Sequence, residues 1–226
     1  MNNSNIVTNY DEVQYYEQDS KPFGYSFGEW TVKWWKWILS MPKSMNPIDD
    51  DSGELAALKQ PSRDVWFLAG KKGDEDKKLP NRSCRIPADR SILFPVINCE
   101  HDLLDSDLKT HQDLIDRVSR DEDTIVRKDC FIDGKRIPVQ RVKSDPIVFE
   151  ATMARDNMFN MKQGGGAMFE NTFASADGYW VFLKPLPIGK HTISFLGSCE
   201  SGRLNSGANY NLEVVVFLAR IQSKCK

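Results

Sequence analysis

The chain lacks the marks of several common protein classes. Lysine plus arginine number 30 against 32 aspartates and glutamates, a net charge of −2. There is no surplus of positive charge from which a nucleic-acid-binding face would be built. No stretch approaches the roughly 18 apolar residues that a membrane-spanning helix needs. The start, Met1-Asn2-Asn3-Ser4-Asn5, is polar. It has no basic segment followed by an apolar one, so no secretory signal peptide is expected and the expected location is cytoplasmic, with export by another route left open. The five cysteines are an odd number, widely spaced, with no C-x-x-C pair. That pattern fits reduced, buried thiols better than a disulfide framework or a zinc ribbon, although one disulfide stays possible for an exported chain. There is no internal repeat and no linker strong enough to split the chain.

What is there begins with tryptophan. Four of the six lie at Trp30, Trp34, Trp35 and Trp37. Indole surface on this scale is costly to leave in water, so the segment marks a core or a surface that meets a partner. Ser26 followed by Glu29 is a capping-box pattern, and Met41-Pro42 is a stop, so a helix is expected from Glu29 to about Met41. At about 100° per residue, Trp30, Trp34, Trp37, Ile38 and Met41 share one face, and Val32, Trp35 and Leu39 form a second. A helix with two apolar faces needs two covers. The second is expected from the N-terminal arm, residues 1–22, or from another copy of the chain, and a homo-oligomer is the expected state.

Beyond a loop over 42–63, strand-like runs dominate. Val65–Ala69 and Ser91–Ile97 are short and apolar, and Pro95 marks the latter as an edge or a bulge. Asp133-Gly134 between Cys130–Ile132 and Arg136–Val139 is a type I′ hairpin signal. Residues 156–167, with Gly164-Gly165-Gly166, read as a loop. A second helix is expected from about Asp105 to Ser119, its stripe being Leu104, Leu108, His111, Ile115 and Val118. Tyr179–Leu183, Lys190–Leu196 and Asn209–Ile221 are further strands. At 226 residues the chain is long enough to bury roughly 70% of its unfolded surface without staples. About eight strands in hairpin-like succession predict a mainly β fold, an antiparallel β-sandwich or jelly roll with two α-helices, as one domain over 23–226 behind the arm.

Several segments, in their order, carry a resemblance. Tyr25-Ser26-Phe27-Gly28-Glu29-Trp30 with Trp34-Trp35-Lys36-Trp37 is similar to a "SYGEW…WWxW" opening. Asn46-Pro47 with Asp51-Ser52-Gly53, Val65–Gly70, Cys84–Ala88 with Leu93-Phe94-Pro95, and Asp177–Val181 through Pro187–Ile193 continue it. Together they resemble a family of uncharacterised bacterial and archaeal proteins, many of them exported. The resemblance implies no activity and no catalytic residues. Similar proteins often have a cysteine after the D-x-G segment, a mate for Cys84. Here Glu54–Leu58 has none, in line with reduced thiols.

Candidate chemistry is sparse. Gly24-Tyr25-Ser26-Phe27-Gly28 is a literal G-x-S-x-G, and Ser26, Asp177 and His191 have the chain order of a hydrolase triad. Yet only 23 residues precede Gly24, too few to build a sheet beneath such an elbow, and Ser26 reads more fully as a helix N-cap. Asn98-Cys99-Glu100-His101-Asp102 offers metal-ligand types, and Glu100 with His101 is the zinc alternative. That run otherwise reads as a polar strand end leading to the second helix, capped by Asp102 or Asp105. Asp49 and Asp51 before Gly53 suggest a calcium loop, but the spacing departs from the EF-hand pattern. Indoles can stack on sugars, which makes a carbohydrate or another small molecule a candidate partner. His111 reads as a half-buried structural residue. Glu29, Asn98, Glu100, His101 and His191 adjoin apolar segments, where unpaired polar groups are costly and must find partners. With Trp35 they form the candidate binding set. The leading functional expectation is a non-catalytic binding or structural module. The alternative is a hydrolase using Ser26 or a metal near Glu100 and His101.

Overall fold

Ser26 fixes where the first helix begins. In the computed structural model, which describes residues 13–73, 78–104, 107–159, 169–202 and 204–216, helix α1 runs Phe27–Leu39. Glu29 N donates to Ser26 Oγ at 3.1 Å and Ser26 N donates to Glu29 Oε2 at 2.6 Å, the reciprocal pairing of a capping box. The helix therefore starts two residues before Glu29. Gly28 lets it lie close to a neighbouring segment: a Cβ there would stand 2.7 Å from both Lys143 O and Asp145 Cβ.

Both apolar faces of α1 are buried within one chain. Trp30, Trp34, Trp37 and Ile38 are covered, and so are Val32, Trp35 and Leu39, with Trp35 only 3% exposed. The cluster that holds them includes Met41 and Ile48 from the following loop. It also includes Phe149, Ala151 and Met153 of strand β8 (Val148–Ala154). The expectation of a second cover is correct, but the chain supplies it, and the two-faced helix gives no ground for a second copy. The Trp34 ring meets those of Trp35 and Trp180 edge-on, with centroids 5.0 and 5.3 Å away. Each such pair adds about 0.5–1.5 kcal/mol beyond area burial. Indole N–H groups are satisfied where the backbone reaches them: Trp30 donates to Pro22 O, Trp34 to Leu68 O and Trp37 to Leu58 O.

The first sheet orders β1 (Val65–Phe67), β4 (Ser91–Asp102), β9 (Phe169–Leu183) and β7 (Gln140–Arg141), with β8 also on β9. The second orders β2 (Lys71–Gly73), β11 (Asn205–Val215), β10 (Gly189–Cys199), β5 (Ile125–Ile132) and β6 (Lys135–Arg136), with β3 (Asn81–Pro87) also on β11. Pairing is antiparallel except β1 with β4 and β3 with β11. Side chains on β1, β4 and β9 alternate between two cores. Phe67, Leu93, Trp180 and Phe182 pack toward α1. Trp66, Phe94, Val181 and Leu183 pack toward the second sheet. The result is a sandwich with a helix laid on one outer face. Strands buried on both sides read as continuous apolar runs, which is why 65–69 and 91–97 show no alternation.

Pro95 lies at a bulge, where the β4–β9 register shifts between Pro95 and Ile97. Asp133 and Gly134 both have positive φ, 50° and 77°, as a type I′ hairpin turn requires. The second helix, α2, spans His111–Glu122 and not Asp105–Ser119. Thr110 and Asp113 form its capping box, so neither Asp102 nor Asp105 caps it, and Asp105 lies outside the described residues. Its buried positions are Leu114, Val118 and Glu122. His111 is exposed and its ring lies 4.8 Å from that of Phe173. The described part of the arm, residues 13–22, follows the rim of the sheet: Tyr16 N donates to Phe182 O and Lys184 N to Gln14 O. The Gly164-Gly165-Gly166 run lies outside the described residues. No described helix is long and apolar enough to cross a membrane.

Candidate functional site

The polar run Asn98–Asp102 is a strand end, as its sequence suggested. It continues β4, because β9 pairs with it as far as Asp102 opposite Ala174. Gly178 stands opposite Asn98, and a Cβ there would come within 2.5 Å of Asn98 Cβ. On the other side, β1 pairs only with Ser91–Leu93. Beyond Leu93 that edge of β4 has no strand beside it among the described residues. Side chains from both faces of β4 therefore border the same space.

On the face that holds Asp102, the geometry is partly satisfied. Leu104 N donates to Asp102 Oδ1 at 2.7 Å. Glu100, 8% exposed, has an unpaired Oε1. Burial, and then the charge of Asp102, pushes the Glu100 carboxyl well above the ordinary range. Toward α2, His101 Nε2 is 2.8 Å from Asp121 Oδ2. The Cys99 thiol lies against Glu122 but donates to Val118 O at 3.3 Å, leaving both Glu122 oxygens unpaired. Burial, and then the charge of Asp177, raises the Glu122 carboxyl to about 9. The Cys99 thiol is raised by burial and then by Glu122. Asp177 is fully covered and is held by Arg141, whose Nη2 donates to Oδ2 at 2.8 Å. Arg141 Nη1 donates to Asp123 Oδ1 at 2.6 Å.

A cleft of about 590 Å³ lies along the open edge of β4, bordered by both sheets and α1. Trp35, Asn98, Glu100 and Asn205 line it, and each has a buried polar atom that no protein group pairs: Trp35 Nε1, Asn98 Nδ2, Glu100 Oε1 and Asn205 Oδ1. Trp34, His101 and Asp121 are also in its wall. Such a cleft falls in the size range of small-molecule sites, roughly 300–1,000 Å³.

Of the residues singled out from sequence, Trp35, Asn98, Glu100 and His101 border this one cleft. Glu29 does not; it closes the capping box with Ser26. His191 is near the start of β10, against the β5–β6 turn, with Nδ1 2.7 Å from Asp133 Oδ2 and Nε2 2.9 Å from Pro187 O. Ser26 donates to Asp145 Oδ2 at 2.8 Å. With Asp177 bound to Arg141, the order Ser26, Asp177, His191 corresponds to no triad. Among the described residues no three His, Cys, Asp or Glu side chains gather as metal ligands, Glu100 and His101 included. In the acidic loop Asp49 is exposed and Asp51 pairs with Lys71. Asp50 is its hub, accepting from Ser52 N, Ser52 Oγ and Leu55 N. Those bonds outweigh burial and hold its carboxyl below the usual range.

Sequence reasoning missed Glu122, Asn205 and the Arg141–Asp177 pair. Glu122 had a signal, since it falls eight residues after Leu114 and four after Val118, on the buried stripe. Asn205 had none, because the second sheet brings it to the cleft. No family model, curated protein or solved structure matches this chain.

Proposed function

We propose that the protein is a non-catalytic binding module that takes a small polar molecule in the cleft beside β4. The observation that carries this reading is the cleft itself, about 590 Å³ and lined by Asn98, Glu100, His101, Asp102 and Asn205 beside Met158 and Phe159. A few polar groups set in an apolar wall are the usual make-up of a small-molecule site. The hydrolase alternative has weaker support. Ser26 is committed to a helix cap and to Asp145, with no imidazole among its partners. The resemblance to the uncharacterised family remains a proposal and brings no activity with it.

The test is a small-molecule fragment screen by saturation-transfer NMR, run on the wild type and on Ser201→Trp. Ser201 is exposed at the cleft wall, so the indole closes the mouth without entering a core. Fragments that bind the wild type and lose binding to the variant support the reading. An absence of hits, or hits that the blocked variant keeps, overturns it.

A further inference from the structure

We propose that the ligand of this cleft is a short extended peptide, which adds to the open edge of β4 as a further strand. The inference rests on the binding reading above and goes further by naming the ligand class. Successive side chains of a strand point to opposite faces of its sheet. Five consecutive residues, Asn98 to Asp102, nevertheless line one cleft. A cleft meets both faces only at the strand's edge, so the backbone between them borders it as well. The pairing with β9 shows which backbone groups face that way. Even-numbered β9 residues serve the far side of β9: Val142 N donates to Gly178 O and Ser144 N to Ala176 O. Odd-numbered ones therefore bond to β4, where Tyr179, Asp177 and Ser175 stand opposite Ile97, Cys99 and His101. Leu103 N continues that row by donating to Phe173 O at 3.1 Å. Asn98 and Glu100 thus turn their N–H and C=O groups to the cleft, and among the described residues no backbone pairs with them. Such an edge is a template for another strand, whose alternate residues match this repeat of about 7 Å. β1 begins the same row: it runs parallel to Ser91–Leu93, and Leu68 N donates to Leu93 O. The chain then crosses to the second sheet, where Tyr210 Oη donates to Ala69 O and β2 pairs with β11. From Asn98 to Asp102 the edge is about 13 Å long, room for about four residues. Side chains of the added strand alternate too. One set meets Met158 and Phe159, half-buried beside the α1 core. The other meets half-buried His101 and Asp121 and exposed Lys72. The fit is to a segment of alternating apolar and polar residues.

The test is a titration with the capped peptide acetyl-Thr-Val-Thr-Val-amide, followed by amide chemical shifts and hydrogen exchange. The comparator is the same peptide N-methylated at every residue, which keeps the side chains and loses their main-chain N–H donors. The parent is expected to bind, to shift the Asn98–Asp102 amides and to slow exchange at Asn98 and Glu100. The methylated form is expected to bind at least about tenfold more weakly. Asn98→Pro removes one donor at a strand edge, where proline is tolerated, and is expected to weaken binding about tenfold. Asn98→Ala keeps the backbone and is expected to weaken it less than about threefold. Should Asn98→Pro fail to fold, the methylated peptide tests the same bonds on the wild type. In the free protein the Asn98 and Glu100 amides are expected to exchange faster than those of Cys99 and His101. Equal protection at all four positions means that the chain itself fills the edge, and overturns the proposal. Equal binding of the two peptides, peptide binding that Ser201→Trp keeps, or an Asn98→Ala loss as large as that of Asn98→Pro also overturns it. Silence from the peptide, with fragments that bind the wild type and not Ser201→Trp, refutes the ligand class and leaves the cleft reading standing. Silence from peptide and fragments removes both.

Discussion

Folding should take up a proton at Glu122, and stability should fall as pH rises through neutrality. Helix α2 places this carboxyl at a buried position with neither oxygen paired. Burial and then Asp177 lift it from an ordinary 4.5 to about 9. Between those values the folded chain holds a proton that the unfolded chain has released. The stabilisation is therefore complete below about pH 4.5, declines as pH rises, and levels off only near 9. One carboxyl of this kind gives a slope of about 1.4 kcal/mol per pH unit, or about 2.7 kcal/mol between pH 5.5 and 7.5. Glu100, displaced the same way by burial and then by Asp102, adds to the slope. Asp50, Asp113 and Asp133 are displaced downward, so their titration lies below this window and does not enter it. The assay is urea unfolding at pH 5.5, 6.5 and 7.5 on the wild type and Glu122→Gln. The variant cannot titrate, so its slope should be shallower by about 1.4 kcal/mol per unit, and it should gain on the wild type with each step upward. A wild type whose stability is flat or rises over the window, or a variant with an unchanged slope, refutes the argument.

Three further outcomes follow from the packing. Arg141→Leu leaves Asp177 buried without its cation and should cost about 3–5 kcal/mol in urea unfolding at pH 7, more than Lys143→Leu at an exposed neighbour. Gly197→Ala would press a Cβ to 2.4 Å from Ile97 Cβ across the two sheets, and should lower stability by about 1–3 kcal/mol, read as a drop in Tm. The Cys84 and Cys130 thiols are pushed up to about 12 by burial, so iodoacetamide at pH 8 should leave both unlabelled in the folded protein and alkylate both after denaturation, as peptide mapping would show.

Local chemistry was the legible part of this fold. The Ser26–Glu29 capping box, the Asp133-Gly134 turn and the Pro95 bulge each depend on residues within a few positions, and each has a stereochemical cause that a string of letters displays. The element bounds went wrong in two ways, where an apolar stripe overran a local cap and where a distant strand extended an element. The apolar steps Leu104 and Leu108 continue the stripe of α2 backwards, and Leu108 is indeed buried. Yet the helix cannot start until the Thr110 cap, so the stripe overran the element. Asn98–Asp102 is the polar strand end it was read as, but the strand expected over Ser91–Ile97 runs on through it although nothing in that composition favours a sheet. Its backbone is held by Ala174–Gly178, more than seventy positions along the chain, and that partner outweighs local preference.

The same distinction separates the polar residues by role. All five polar members of the candidate binding set adjoin apolar segments, which is why each was expected to need a partner. Glu29 found Ser26, His101 found Asp121 and His191 found Asp133, all within reach of ordinary structural bonding. Asn98 and Glu100 kept unpaired atoms, as did Trp35, and these three share one cleft. Proximity to an apolar run therefore does not single out a binding residue, and neither does an unpaired atom alone, since both oxygens of Glu122 are unpaired outside the cleft wall. Asn205 comes to this cleft from β11 with its own Oδ1 unpaired, while its Nδ2 donates to Gly202 O at 2.9 Å. What sets Asn98, Glu100 and Asn205 apart is their place: β4 and β11 bring them to one cleft from different sheets.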